Sequence, residues 1–224
     1  MLGPLSILVI PFKRPLMKLY YSAGACSLSP HIVAAEAGIA LELVRVNLGK
    51  TPHTTASGTD FSAVNPNGYV PVLELDDGQL LTEGPAIVQY LADEKPECGL
   101  APAAGTLART RLQSWLNFIG TELHKMYSPW LFHAEYGEQA QTVARGKIAE
   151  RLGFVDRHLA AGSPFLMGES FTVADAYLFT VVSWSKLVDV DLSDFAALRA
   201  YLERVGRRPA VREAMVAEGL KVHA

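Results

Sequence analysis

The sequence has little cysteine, no long apolar run and no excess of basic charge, and each shortage excludes a class of protein. Among 224 residues only Cys26 and Cys98 are cysteines. Two are too few for a disulfide framework, which fits a reducing, cytoplasmic environment. No apolar stretch reaches the length of a membrane span, so no membrane association is expected. The net charge is -3, so the chain lacks the basic field that nucleic-acid binding requires.

Several common functional motifs are also missing. The sequence has no GxGxxG, no P-loop and no GxSxG, which excludes the nucleotide-binding and hydrolase sites that they mark. His53, His133, His158 and His223 lack the spacing of metal ligands, and no metal site is expected. No cysteine lies two residues from Cys26, so a dithiol exchange pair is absent.

The composition is that of a globular protein, with 50% hydrophobic and 19% charged residues. The length allows one large domain or two small ones. Residues 1–16 stand apart from the rest. Leu5–Ile10 is apolar, but the basic pair Lys13-Arg14 follows it, whereas a secretory signal has the opposite order. We predict a disordered extension, with Met17 as a candidate natural start.

Residues 17–95 are predicted to form an α/β domain of the order βαβ–ββα. A strand at Lys18–Tyr21 and another at Leu41–Asn47 flank a helix at Leu28–Ala37, which is the size of a βαβ unit. A polar loop is predicted at Leu48–Gly58. Two further strands and a helix follow, ending near Glu94.

The second half of the chain is predicted to be helical. Residues 96–104 are rich in proline and glycine and indicate a linker. In residues 105–224 apolar side chains recur at i, i+3, i+4 and i+7, as in a helix that buries one face. Thr172 and Asp175 have the spacing of a capping box at a helix start.

The stretch NPNGYVPVLELDDGQLLTEGPAIVQYL, residues 65–91, combines a strand pair with a helix start. Pro71 cannot donate to a sheet, which predicts an edge strand or a cis peptide at Val70-Pro71. Thr82 is predicted to cap the helix, with Glu83 and Gly84 in its first turn. An open strand edge beside a helix N-terminus could hold a peptide-like ligand. The alternative is an edge proline that only limits aggregation.

Cys26 follows the first predicted strand and opens the first predicted helix. The positive end of that helix favours a thiolate, and Ser27 adds a hydroxyl donor. The alternative is a small buried residue at a tight turn.

His124 and Lys125 lie on the first long helix of the second half. Asn117, two turns earlier, adds a polar group on nearly the same face, so this stripe could line a cleft between the two halves. The alternative is a solvated surface stripe. Lys50, in the polar loop, could pair with a ligand carboxylate or simply be solvated.

Four blocks of the sequence resemble the soluble glutathione transferases, and within them the bacterial beta class. They are MKLYYSAGACSLSPHI, NPNGYVPVLELDDGQLLTEGPAIVQYLAD, WLNFIGTELHK and FTVADAYLFTV. Their order and spacing match, and the resemblance covers nearly everything after residue 16. It implies a thioredoxin-like N-terminal domain with a mixed four-stranded sheet, an all-helical C-terminal domain and a homodimer.

The resemblance also implies a binding site for glutathione as co-substrate. The backbone of Val70, before a cis Pro71, would pair with the cysteinyl part. Glu83 would bind the γ-glutamyl amine, Gly84 its carboxylate, and Lys50 would approach the glycyl carboxylate.

The resemblance further implies the residues around the sulfur. Cys26, at the helix end formed with Ser27, would lie beside it. His124 and Lys125 would close the site, and Asn117 would reach the partner subunit's ligand.

The sequence departs from the family at several positions, two of which concern the glutathione site. Many relatives have serine where this chain has Gly84, so that anion binding would rest on backbone N–H groups. Tyr69 replaces the residues common at the rim.

The expected activity is conjugation of glutathione to small hydrophobic electrophiles, and Cys26 makes thiol–disulfide exchange an open second chemistry. The alternatives are a glutathione-dependent isomerase or dehalogenase, and a non-catalytic glutathione-binding regulatory protein.

Overall fold

The computed structural model describes residues 16–222. The predicted extension, apart from Leu16, lies outside the described residues. The first half contains strands β1 (Lys18–Tyr21), β2 (Glu42–Asn47), β3 (Thr54–Thr55), β4 (Val72–Glu74) and β5 (Leu80–Thr82), with helices α1 (Leu28–Glu36) and α2 (Gly84–Asp93). The predicted βαβ–ββα order is therefore present.

The strands form one mixed sheet in the order β3-β2-β1-β4-β5. Strand β1 pairs parallel with β2, as a helical crossover requires, and antiparallel with β4. The expected four strands gain a fifth, because Thr54–Thr55 pairs with Val46–Asn47 inside the predicted polar loop. A two-residue strand is too short to show an alternating pattern, which explains why the sequence did not reveal it.

The start of α2 differs from the prediction by one residue. Thr82 ends β5, and Glu83 is the cap residue, with φ 67° and ψ 109°. The Thr82 cap was therefore wrong. A non-glycine residue at positive φ is uncommon and is often found at functional sites.

The second half is helical, with α3 (Leu107–Phe118), α4 (Lys125–Tyr127), α5 (Glu138–Ala160), α6 (Val173–Ser183), α7 (Ala196–Gly206) and α8 (Pro209–Ala217). A π-helical segment, Ile119–His124, joins α3 to α4. The wider turns of a π-helix rotate later side chains relative to α-helical spacing, so the common face predicted for Asn117 and His124 from α-helical spacing stays a prediction. The Thr172–Asp175 capping box is present at α6.

One apolar core crosses both halves, and α1 lies at its centre. Helix α1 packs against α2 of the first half and against α6 and α8 of the second half. Ile32 and Val33 are fully buried there. A smaller cluster with Tyr20, Phe61 and Val72 covers the opposite face of the sheet. Helix α1 is therefore held by both halves of the molecule.

Candidate active site between the two halves

The turn from β1 to α1 presents Cys26 and buries Ser27. The Ser27 hydroxyl accepts the Ser22 N–H at 3.1 Å and donates to the Ser22 carbonyl at 3.2 Å. Ser27 is 0% exposed. The donor role predicted for Ser27 is not supported, because both functions of its hydroxyl are used inside the turn.

Gly24 ties this turn to the helical half. Its N–H donates to Glu218 Oε2 at 2.8 Å, and its carbonyl accepts Trp184 Nε1–H at 2.8 Å. The buried Glu218 also contacts His31 Nδ1 at 3.0 Å. Gly24 has φ +71°, and an added Cβ would lie 3.3 Å from Leu220. A larger residue would therefore strain the backbone and push the turn away from these partners.

The thiol of Cys26 lies against the main chain of the proline corner. Its Sγ donates to the Val70 carbonyl at 3.2 Å, and the Val70-Pro71 peptide is cis, as the resemblance implies. Pro71 in turn contacts the start of α2, because a Cβ added at Gly84 would lie 3.7 Å from Pro71 Cγ. A thiol, a main-chain edge and a helix start thus meet at one place.

Burial decides the protonation of Cys26. It raises the pKa of the thiol to about 12, and the backbone N–H groups of Cys26 and Ser27 and the charge of Lys125 only partly oppose this effect. This protonated thiol differs from the thiolate expected at the helix end, while a role of that helix end toward a neighbouring sulfur anion stays a prediction. A protonated Cys26 agrees with its hydrogen bond to the Val70 carbonyl.

Glu83 and Gly84 form the helix end of the site. Glu83 is exposed while Gly84 is buried, and the Glu83 carbonyl accepts the first helical N–H groups, from Ala86 and Ile87. The free N–H groups at the start of α2 carry a partial positive charge. A carboxylate and an anion-binding helix end therefore lie side by side.

His124 enters from the helical half and is held on two sides. Its Nδ1 lies 2.6 Å from the Tyr177 hydroxyl. The Trp184 ring packs edge-on, 4.9 Å away between centroids. Burial, with a smaller contribution from the charge of Lys125, lowers the pKa of His124 to about 4. The imidazole is therefore neutral at physiological pH.

Lys125 and Tyr69 face each other across the opening between the two halves. The Lys125 ammonium lies 5.7 Å from the centroid of the Tyr69 ring, a cation–π distance. Tyr69 is 68% exposed, while its carbonyl is held by Asn65 Nδ2–H at 2.8 Å. Tyr69 therefore lies exposed at this opening, and its contact with glutathione stays a prediction.

Two predicted residues are not brought to this cluster by any contact within residues 16–222. Lys50 is exposed in the loop between β2 and β3, and Asn117 is exposed on α3. Their ligand-binding roles remain predictions.

Three residues that shape the site were missed by sequence reasoning: Tyr177, Trp184 and Glu218. Tyr177 lies in the fourth family block, two residues after the capping-box aspartate, and this was the one available signal. Glu218 lies 194 residues from Gly24, its backbone partner. No local pattern could have revealed that contact.

Acid is expected to destabilise the protein through His124, by on the order of 3 kcal/mol. The unfolded histidine binds a proton below its ordinary pKa of 6.5, and the folded one only below about 4. Between these values the unfolded state binds more protons, so the free energy of unfolding decreases as the pH falls. Urea unfolding between pH 7 and pH 4 measures the slope.

The matched control for this slope is His133→Gln, since His133 is exposed. It should keep the wild-type pH dependence, while His124→Gln should flatten it. A wild-type slope in His124→Gln would contradict the prediction.

Within residues 16–222, no group of three or more His, Cys, Asp or Glu side chains is placed to hold a metal ion. In the same range, no helix has both the length and the apolarity needed to cross a membrane.

Comparisons with known proteins match both halves of the chain. The family "Glutathione S-transferase, N-terminal domain" matches residues 23–94, and "Glutathione S-transferase, C-terminal domain" matches residues 118–209. Glutathione S-transferase GstA of Escherichia coli O157:H7 is 43% identical over 92% of this chain and 100% of its own length.

Solved structures agree with these matches. A sphingomonad glutathione S-transferase complexed with glutathione is 45% identical, with a TM-score of 0.85 over 91% of this chain and all of its own. A bacterial beta class glutathione S-transferase of Sphingomonas chungbukensis is 44% identical, with a TM-score of 0.86 over the same shares.

Proposed function

Because this chain belongs to the bacterial beta class of glutathione S-transferases, we propose that it conjugates glutathione to small electrophiles in the cleft between its two domains. The observation that carries this conclusion is the contact of the Cys26 thiol with the Val70 carbonyl, beside the start of α2. That corner brings together the groups that a cysteine-containing tripeptide needs.

The proposed binding mode uses charge at one end and main chain in the middle. The γ-glutamyl ammonium pairs with the exposed carboxylate of Glu83. The neighbouring carboxylate binds the N–H groups at the start of α2, near Gly84. The cysteinyl part pairs with the backbone of Val70, next to the cis Pro71. Lys50 is proposed for the glycyl carboxylate.

The burial of Cys26 supports a donor role for its thiol. A group whose pKa is near 12 keeps its proton at neutral pH. In the complex, the cysteinyl N–H of glutathione takes the place of the Cys26 thiol as donor to the Val70 carbonyl, so the thiol donates its hydrogen bond to the neighbouring thiolate instead. Hydrogen bonds to the charged form lower the pKa of the acceptor. Cys26 would therefore favour the ionised sulfur of glutathione. The positive charge of Lys125 acts in the same direction.

Conjugation then follows from position and charge. The glutathione thiolate attacks the electrophilic carbon, a C–S bond forms, and the leaving group departs with its electron pair. Fixing both reactants in one cleft removes part of the entropic barrier. Exchange through Cys26 instead requires its own thiolate, which burial opposes. This difference favours conjugation as the main activity.

We also propose a homodimer in the cytoplasm. Asn117 is exposed on α3, where a second copy could bring it toward a ligand in the partner's cleft. Both cysteines are free thiols, which suits a reducing compartment.

The direct test incubates the protein with glutathione and an activated aryl halide, such as chlorodinitrobenzene, and measures the consumption of glutathione and the formation of thioether in the same assay. Conjugation consumes one glutathione for each thioether formed. Turnover without net loss of glutathione would instead indicate the isomerase or dehalogenase. Retention on immobilised glutathione without turnover of any electrophile would indicate a binding protein. Failure of both retention and turnover would overturn the proposed glutathione site.

Replacing Gly84 with serine is expected to lower the KM for glutathione, by up to about tenfold. The new hydroxyl can donate to the γ-glutamyl carboxylate, in addition to the backbone N–H groups. There is room for it, since the added Cβ would lie at an ordinary 3.7 Å from Pro71 Cγ. Steady-state kinetics with varied glutathione measure the effect.

Gly84→Ala is the control, because it adds the carbon without the hydroxyl. Its KM should stay within about twofold of wild type. Equal behaviour of the two variants would argue against a glutathione carboxylate at this helix start.

A further inference from the structure

We propose that Tyr177 is a positioning residue. Its hydroxyl donates a hydrogen bond to His124 Nδ1, and this bond holds the imidazole in the tautomer that carries its proton on Nε2. His124 then presents a neutral N–H donor to the cleft. The further statement that this donor serves the glutathione sulfur rests on the proposed function.

The first support is the geometry of the pair. Tyr177 Oη and His124 Nδ1 are 2.6 Å apart, at the short end for such a bond. Tyr177 is 2% exposed, so solvent does not compete for its hydroxyl. A Cβ added at Gly120 would lie 3.6 Å from the same hydroxyl. The π-helical backbone therefore also closes around this oxygen.

The direction of the hydrogen bond follows from counting protons. Buried hydroxyl groups normally place their proton on an acceptor. Within the described part of the chain, His124 Nδ1 is the recorded hydrogen-bond partner of the Tyr177 hydroxyl. If Nδ1 carried the imidazole proton, the tyrosine proton would have no acceptor among these residues. The tyrosine therefore donates, and Nδ1 accepts.

Both members of the pair are neutral at physiological pH. Burial lowers the pKa of His124 and raises that of Tyr177 above its ordinary value of 10. The ionisable groups that act on the pair are Lys125, on the histidine, and Cys26 and Glu83, on the tyrosine. A neutral imidazole has one N–H, and the bond to Tyr177 leaves it on Nε2.

The remaining nitrogen is open to solvent. Among the residues described, no buried side-chain nitrogen or oxygen lacks a hydrogen-bond partner. His124 Nε2 makes no hydrogen bond within residues 16–222, so it is accessible. Trp184 packs edge-on to the ring and also donates to the Gly24 carbonyl, two residues before Cys26. The ring is thus held in a fixed position relative to the Cys26 turn.

The π-helical segment explains why this arrangement was hidden in the sequence. Such segments occur often at functional sites, where they shift the residues that follow. Here the segment ends at His124. Ordinary α-helical spacing would set the imidazole at another angle around the helix.

The test is the tautomer of His124, read from the ¹⁵N resonances of its imidazole in the full-length protein. His124→Gln identifies the signals by their loss. Wild type is expected to show a protonated Nε2 and an unprotonated Nδ1 at neutral pH. In Tyr177→Phe the two tautomers should mix, so that the nitrogen signals move toward each other.

Tyr127→Phe is the matched control. Tyr127 is another buried phenol, bonded to Ser185 Oγ at 2.6 Å, and it also packs edge-on against Trp184. It does not contact the imidazole nitrogens, so the His124 signals should remain those of wild type.

The steady-state kinetics should change in the same variant as the tautomer. In Tyr177→Phe we expect kcat to be about tenfold lower and the KM for glutathione almost unchanged, while both constants of Tyr127→Phe should stay within twofold of wild type.

Three results would overturn the proposal. They are a proton on Nδ1 in wild type, unchanged His124 signals in Tyr177→Phe, or an equal shift in Tyr127→Phe. The wild-type spectrum decides the tautomer even if a variant fails to fold. A correct tautomer in an enzyme that does not turn over would leave the positioning role intact and count against the proposed function alone.

Discussion

Iodoacetamide should label Cys26 roughly fiftyfold more slowly than an ordinary thiol at neutral pH. Raising the thiol pKa from 9.0 to about 12 lowers the thiolate population about a thousandfold. The more basic thiolate is a better nucleophile, which restores roughly twentyfold of that loss. Mass spectrometry of each cysteine peptide over time measures the rates.

Cys98 provides the internal reference, because it is exposed in the same molecule and should be labelled first. The Cys26 rate should rise about tenfold per pH unit from pH 7 to pH 10, since the thiolate fraction does so below the pKa. Fast labelling that levels off below pH 9 would contradict the raised pKa.

The same chemistry predicts what removal of Cys26 does to activity. Cys26→Ala loses one donor to the glutathione thiolate but keeps the nucleophile. Conjugation should therefore fall by no more than about tenfold, while disulfide exchange through a Cys26–glutathione bond disappears. Loss of both activities together would mean that Cys26 itself forms the reacting bond.

Asp175→Ala should lower the free energy of unfolding by about 4 kcal/mol. The carboxylate is fully buried and accepts from the Leu166 and Thr172 N–H groups at 2.9 and 2.8 Å. It also accepts from the hydroxyls of Thr172 and Tyr201, at 2.8 and 3.1 Å. Alanine would leave these donors unsatisfied in the core. The midpoint of urea unfolding measures the loss.

Asp194→Ala is the control, because Asp194 is exposed and should change stability by less than about 0.5 kcal/mol. Asp175→Asn should fall between the two, since the amide keeps one acceptor and turns its NH₂ group toward a donor. A loss below 1 kcal/mol in Asp175→Ala would mean that the donors find other partners. Tyr177 lies two residues after Asp175, about half a turn further along α6, so activity should fall together with stability.

The sequence predicted the elements well where burial is periodic. Helix α1 was expected at 28–37 and is Leu28–Glu36, and the strands expected at 18–21 and 41–47 are Lys18–Tyr21 and Glu42–Asn47. These elements bury one face against the core, so their apolar spacing shows directly in the sequence. The short β3, the Glu83 cap and the π segment were missed, because each depends on backbone geometry that has no residue pattern of its own.

The sequence by itself determined the family and the chemical types at the site: a cysteine at a helix start, a proline corner, and an acidic residue beside a glycine. Only the tertiary structure decided the protonation state and the contacts of these groups. Burial by both domains keeps Cys26 protonated and His124 neutral, and Tyr177 and Glu218 contact the site from distant parts of the chain. The physical reason is that desolvation and long-range hydrogen bonds depend on what surrounds a group in space, which local sequence does not contain.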